Sequence, residues 1–146
     1  GLMDLSLPLA AEALMPHRLP MRLVDRLVEY GGDSGVVEAE VAAGNPLLDG
    51  RGRLDEVALA ELLAQAYALV KGYGARRDGE PIRKGFLVGF REFVCAGSAR
   101  LGDRLHVTVR AVADVEDFTV AEGEIRRGAE LLAHGSLKLW IPKEGP

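Results

Sequence analysis

The sequence predicts an α+β domain in which a curved antiparallel sheet wraps around one long central helix. Three observations carry that prediction. Residues 57–70 are apolar except for Glu61, Gln65 and Tyr67, and a helix that is apolar nearly all round is a buried helix. Six other segments alternate apolar with polar residues or are rich in β-branched and aromatic ones, the pattern of strands. A single helix cannot cover both faces of a large sheet, so the sheet has to curl around it. Such a sheet still has open edges, and pairing with a second subunit is the expected way to cover them.

In chain order, Ser6 is placed to cap a short helix with Pro8 in its first turn and Pro16 as its stop. Residues 21–30 are rich in Leu and Val, 31–35 read as a turn, and 36–42 alternate, which together predict a hairpin. A loop containing Asn45-Pro46, Asp49-Gly50 and Gly52 leads into the central helix, expected over 55–71 and ending near Gly72 or Gly74. Asp55 and Glu56 suit the positive end of its dipole. A polar connection over 75–84 then precedes strands at 86–95, 104–115, 119–126 and 131–141, with residues 127–130 as the turn between the last two.

With 146 residues, 48% hydrophobic and 27% charged, the chain fits a single globular domain with a real core. The net charge is −4 and basic residues are scattered among acids, so nucleic acid is not an expected partner. Cys95 stands alone, and His17, His106 and His134 are far apart, so neither an internal disulfide nor a metal site is expected. No apolar run approaches the ~18 residues of a membrane span, and the first residues lack the order of a signal peptide. A soluble, cytoplasmic protein without membrane insertion is the expectation.

Glu61 is the first residue to suspect of chemistry. A carboxylate on an otherwise apolar helix carries a desolvation cost unless it finds partners, and such groups concentrate at active sites. Gln65, one turn on, shares its face. The competing reading places Glu61 at the edge of the apolar stripe, in water.

Several segments match one family. Met15-Pro16-His17-Arg18-Leu19-Pro20-Met21-Arg22-Leu23-Val24-Asp25-Arg26 resembles the opening motif of the 3-hydroxyacyl-(acyl-carrier-protein) dehydratases, and Glu61-Leu62-Leu63-Ala64-Gln65 resembles the Glu-x-x-Ala-Gln of their central helix. Val88-Gly89 and Leu101-Gly102-Asp103-Arg104-Leu105 are similar to two later motifs in the same order. One departure stands out. The usual dehydratases carry a Gly-His-Phe-Pro loop before the helix, with its histidine as base; the matching stretch here, residues 45–54, has none. Arg51 cannot substitute, because arginine stays protonated. A branch found in aryl polyene biosynthesis clusters also lacks that histidine, and its Gly-x-Arg-Glu-Leu-Val-Cys strand resembles Gly89-Phe90-Arg91-Glu92-Phe93-Val94-Cys95.

The resemblance implies a hot-dog fold and dehydration of 3-hydroxyacyl groups held as phosphopantetheine thioesters on acyl carrier protein. It implies a homodimer, or a heterodimer with another hot-dog subunit, and no cofactor. The reaction needs a base for the C2 proton, an acid for the C3 hydroxyl and donors for the thioester oxygen. His17 is the candidate base and Glu61 the candidate acid. Gln65 either orients Glu61 or satisfies a buried backbone group. The oxyanion donors are expected from the backbone N–H near Glu56, at the helix start, and from Val88 and Gly89, although Gly89 can equally mark a bulge. His106 and His134 read as surface residues, Cys95 as core, and Leu139 and Trp140 as core or interface filling. Arg91 and Glu92 fit either a grip on the acidic carrier or a surface ion pair. A non-catalytic acyl-binding partner subunit and a hot-dog thioesterase are the competing functions.

Overall fold

The computed structural model describes residues 5–15 and 22–142. Its elements are β1 (Leu9–Ala10), β2 (Arg26–Tyr30), β3 (Ser34–Glu40), α1 (Glu56–Arg77), β4 (Phe86–Cys95), β5 (Arg104–Val115), β6 (Phe118–Arg127) and β7 (Glu130–Trp140). The strands form one antiparallel sheet in the order β1-β2-β3-β5-β6-β7-β4. The sheet wraps around α1, the hot-dog arrangement.

The alternation read from sequence is the alternation that packs. Along β5, Leu105, Val107 and Val109 are buried while His106, Thr108 and Arg110 face out. Val37 and Ala39 of β3 pair with Val107 and Leu105, continuing the same inner face. Against it α1 buries Leu59, Leu62, Leu63, Ala66, Leu69 and Val70, each large side chain contributing about 1.5–3 kcal/mol when fully buried. The Asp55 carboxylate accepts the Val57 N–H at 2.8 Å and caps the helix.

Two expectations need correction. The short N-terminal helix is not α-helical: Leu9–Ala10 pairs with β2, and only Ala11–Ala13 makes a 3-10 turn. The Ala11 N–H donates to the Asp25 carbonyl; a segment this short gains more from strand pairing than from an isolated helical turn. The central helix runs past both Gly72 and Gly74 to Arg77. Gly72 is not a terminator but a contact point, where a Cβ would lie 2.3 Å from the Leu14 carbonyl oxygen. The chain turns instead at Gly79, whose φ of 71° is left-handed.

At one end of the sheet, β4 pairs only with β7 among the described residues. Phe86, Leu87, Val88, Phe90 and Val94 on it are exposed. Among the described residues no helix is long and apolar enough to cross a membrane.

Candidate functional site

Glu61 lies on the least buried stripe of α1, with Ala64, Ala68 and Lys71 following at helical spacing. The carboxylate is half-buried and accepts a hydrogen bond from the Gln65 amide, Nε2 to Oε1 3.1 Å. Gln65 itself is buried, and its Oε1 accepts the backbone N–H of Leu23 at 2.7 Å. Gln65 thus bonds both to Glu61 and to a buried backbone N–H. It holds Glu61 with one end and satisfies a buried N–H with the other, using the donor and acceptor that only a side-chain amide combines.

Glu61 and Gln65 line a pocket of about 110 Å³. Its wall is mostly apolar, with Leu14, Met15, Leu87, Leu139 and Ile141 facing the alanines of the helix. Lys71, Arg83 and Lys84 line it as well. The arrangement offers one positioned carboxyl beside a space shaped for hydrocarbon, the combination a site needs to donate or accept a proton on an apolar ligand.

The other expected site residues lie elsewhere. His17 falls outside the described residues. Glu56 is exposed at the start of α1 and lines a separate pocket with the loop of Asp49 and Arg53. There the Asp55 carboxylate already takes the Val57 N–H and sets a negative charge where an oxyanion was expected. Val88 is exposed, and the β4–β7 register slips between Leu87 and Gly89, so the bulge reading of Gly89 is realised. The position a Gly89 Cβ would occupy is nonetheless open, with nothing within 4 Å, so that a ligand can approach this backbone.

Where the usual dehydratases carry a loop histidine, Asp49 here organises residues 45–54. Its Oδ1 accepts the N–H groups of Arg51 and Arg53 at 2.8 and 2.9 Å. Those two bonds, that from Arg53 first, hold its carboxyl below the usual range. Cys95 is only half-buried rather than fully in the core. Burial, and then the Glu56 carboxylate, push its thiol up, which disfavours the nucleophilic thiolate. His106 and His134 are exposed, with His106 3.4 Å from Glu38. Arg91 and Glu92 form no ion pair among the described residues. Leu139 is buried on the pocket wall, while Trp140 is exposed and packs on Phe86, ring centroids 5.6 Å apart.

Tyr67 was legible only as a polar handle on an apolar helix. The structure makes it a wall residue of the same pocket, 1% exposed. Its hydroxyl lies near Thr119, which donates to the Asp114 carboxylate at 2.5 Å. Burial, reinforced by the Asp114 charge, raises the phenol well above its ordinary value, so Tyr67 stays neutral.

The sequence model of the ApeP-like family, described as ApeP dehydratase, matches residues 9–145. The 3-hydroxyacyl-(acyl-carrier-protein) dehydratase FabZ of Streptococcus gordonii is 26% identical over 136 residues, 90% of this chain and 95% of that protein. The FabZ of Streptococcus pneumoniae strain Hungary19A-6 is 29% identical over 130 residues, 87% and 91%. In structure, the chain is similar to one in the dehydratase heterocomplex ApeI:P from Xenorhabdus doucetiae, with a TM-score of 0.86, 24% identity and 93% of both chains covered. That last likeness establishes the fold.

Proposed function

As the chain belongs to the ApeP-like dehydratase family, we propose that it acts as a single hot-dog domain on 3-hydroxyacyl thioesters of acyl carrier protein, converting them to trans-2-enoyl thioesters. The setting would be cytoplasmic biosynthesis of fatty acids or aryl polyenes. The observation that carries this reading is the Glu61 carboxyl, held by Gln65 on the wall of an apolar pocket.

In the proposed reaction a base removes the C2 proton and the electron pair moves toward the thioester carbonyl. The pair then returns to form the C2=C3 double bond as the C3–O bond breaks. Glu61 gives its proton to the departing hydroxyl, which leaves as water. No electrons change hands between molecules, so the chemistry requires no cofactor. His17 is the proposed base. Six residues further along the sequence, the Leu23 N–H is held by Gln65, which also bonds Glu61. For the thioester oxygen, the β4 backbone near Val88 and Gly89 is favoured over Glu56, where the Asp55 carboxylate competes.

A second reading rests on the loop at 45–54, which carries no histidine and is organised by Asp49. There the chain would be the partner of another hot-dog subunit that supplies the base. The exposed apolar edge strand β4 fits a dimer of either kind.

The test is to incubate the full chain with a 3-hydroxyacyl carrier-protein thioester and follow the products by mass. Loss of one water from the intact thioester supports the dehydratase. Activity gained only on adding a second hot-dog subunit supports the partner reading, and release of free thiol contradicts both in favour of a thioesterase.

A further inference from the structure

Beside the Glu61 pocket lies a second, larger cleft of about 610 Å³. Lys71, Arg83 and Ile141 line both, so the two spaces are neighbours. Tyr67 spans the wall between them: it lines the first, and its hydroxyl engages Thr119, which lines the second together with Asp114. Thr119 gives its proton to Asp114. The buried Tyr67 ring fills this wall. Ahead of it, Ala64 and Ala68 leave room along the helix.

We propose that Tyr67 is a specificity-determining residue, the end wall that limits how long an acyl chain can extend from Glu61. The proposal rests on the reading of the Glu61 pocket as an acyl site. An apolar tail gains binding for every methylene it buries, about fourfold each, until it meets the ring. Past that point, further methylenes have to remain in water or displace a buried phenol, and the gain stops. Removing the ring joins the small pocket to the larger cleft.

The experiment measures calorimetrically the binding of saturated N-acetylcysteamine thioesters of increasing chain length, ligands that carry no hydroxyl to lose. For the full chain, affinity rises with length and then levels off. Tyr67→Ala moves the plateau to longer chains. Tyr67→Leu, which keeps an apolar residue in the core and protects the test if the alanine variant does not fold, moves it in the same direction by less. A plateau unmoved in the folded Tyr67 variants overturns the end-wall role alone. Absence of binding at every length in the wild-type chain overturns the acyl-site reading on which it depends.

Discussion

The Gln65 amide stands 3.1 Å from the Glu61 carboxylate while its carbonyl end takes the Leu23 N–H at 2.7 Å. One side chain therefore fixes both the candidate acid and the entry of the first long hairpin. Gln65→Leu removes both bonds at once. The buried Leu23 N–H is left unsatisfied, which costs about 1–3 kcal/mol. If the variant folds, a freed Glu61 lowers kcat by up to about 10²-fold. Thermal unfolding and steady-state kinetics read the two effects separately.

Asp103 gives a pH dependence of definite sign. Burial pushes its carboxyl up, but the Arg100 N–H and the Arg127 guanidinium, 2.6 Å away, outweigh that and hold it below its ordinary value. A carboxyl lowered in the folded state contributes stability above its unfolded value, and the contribution is lost as pH falls through the folded one. Resistance to denaturant should fall as pH drops below about 4. Asp103→Asn should be less stable at neutral pH and show a flatter acid limb.

Gly72→Ala tests the close packing of α1 on the N-terminal segment. The added methyl would lie 2.3 Å from the Leu14 carbonyl oxygen, so either Leu14 or the helix must shift. A loss of about 1–3 kcal/mol is expected, seen as a lower Tm. Because Leu14 lines the Glu61 pocket, weaker binding of acyl thioesters should accompany it.

Cys95→Ser should leave dehydration unchanged, and the native thiol should react slowly with a thiol reagent at neutral pH. Burial and the Glu56 charge both disfavour the thiolate. Rate measurements on the variant and a labelling time course check the two statements.

Local patterns made part of this molecule legible. Glu61 and Gln65 meet because they are one helical turn apart, and β5 buries every second residue because strands alternate. Long-range contacts were not legible. Gly72 and Gly74 look like helix stops, yet each is small because Leu14 or Tyr30 packs against it. Leu9 and Ala10 look helical, yet Leu27 and Arg26 pair with them. The pocket wall converges from the N-terminal segment, α1, the connection after it, β4 and the end of β7, a meeting that no spacing within one segment announces. Glu56 and Glu61 share a helix but not a pocket, for five residues along a helix carry a side chain onward by more than one turn.

The central claim is that Glu61 supplies the proton for the departing hydroxyl. Glu61→Gln preserves the shape of the side chain and removes the acid. The direct measurement is the rate of water loss from a 3-hydroxyacyl carrier-protein thioester by the wild-type and Glu61→Gln proteins, in whichever assembly shows activity, with His17→Ala run beside them. The account predicts a folded Glu61→Gln protein of unchanged assembly whose rate falls by about 10²–10⁴, with a comparable fall for His17→Ala. A Glu61→Gln protein that dehydrates at the wild-type rate would contradict it.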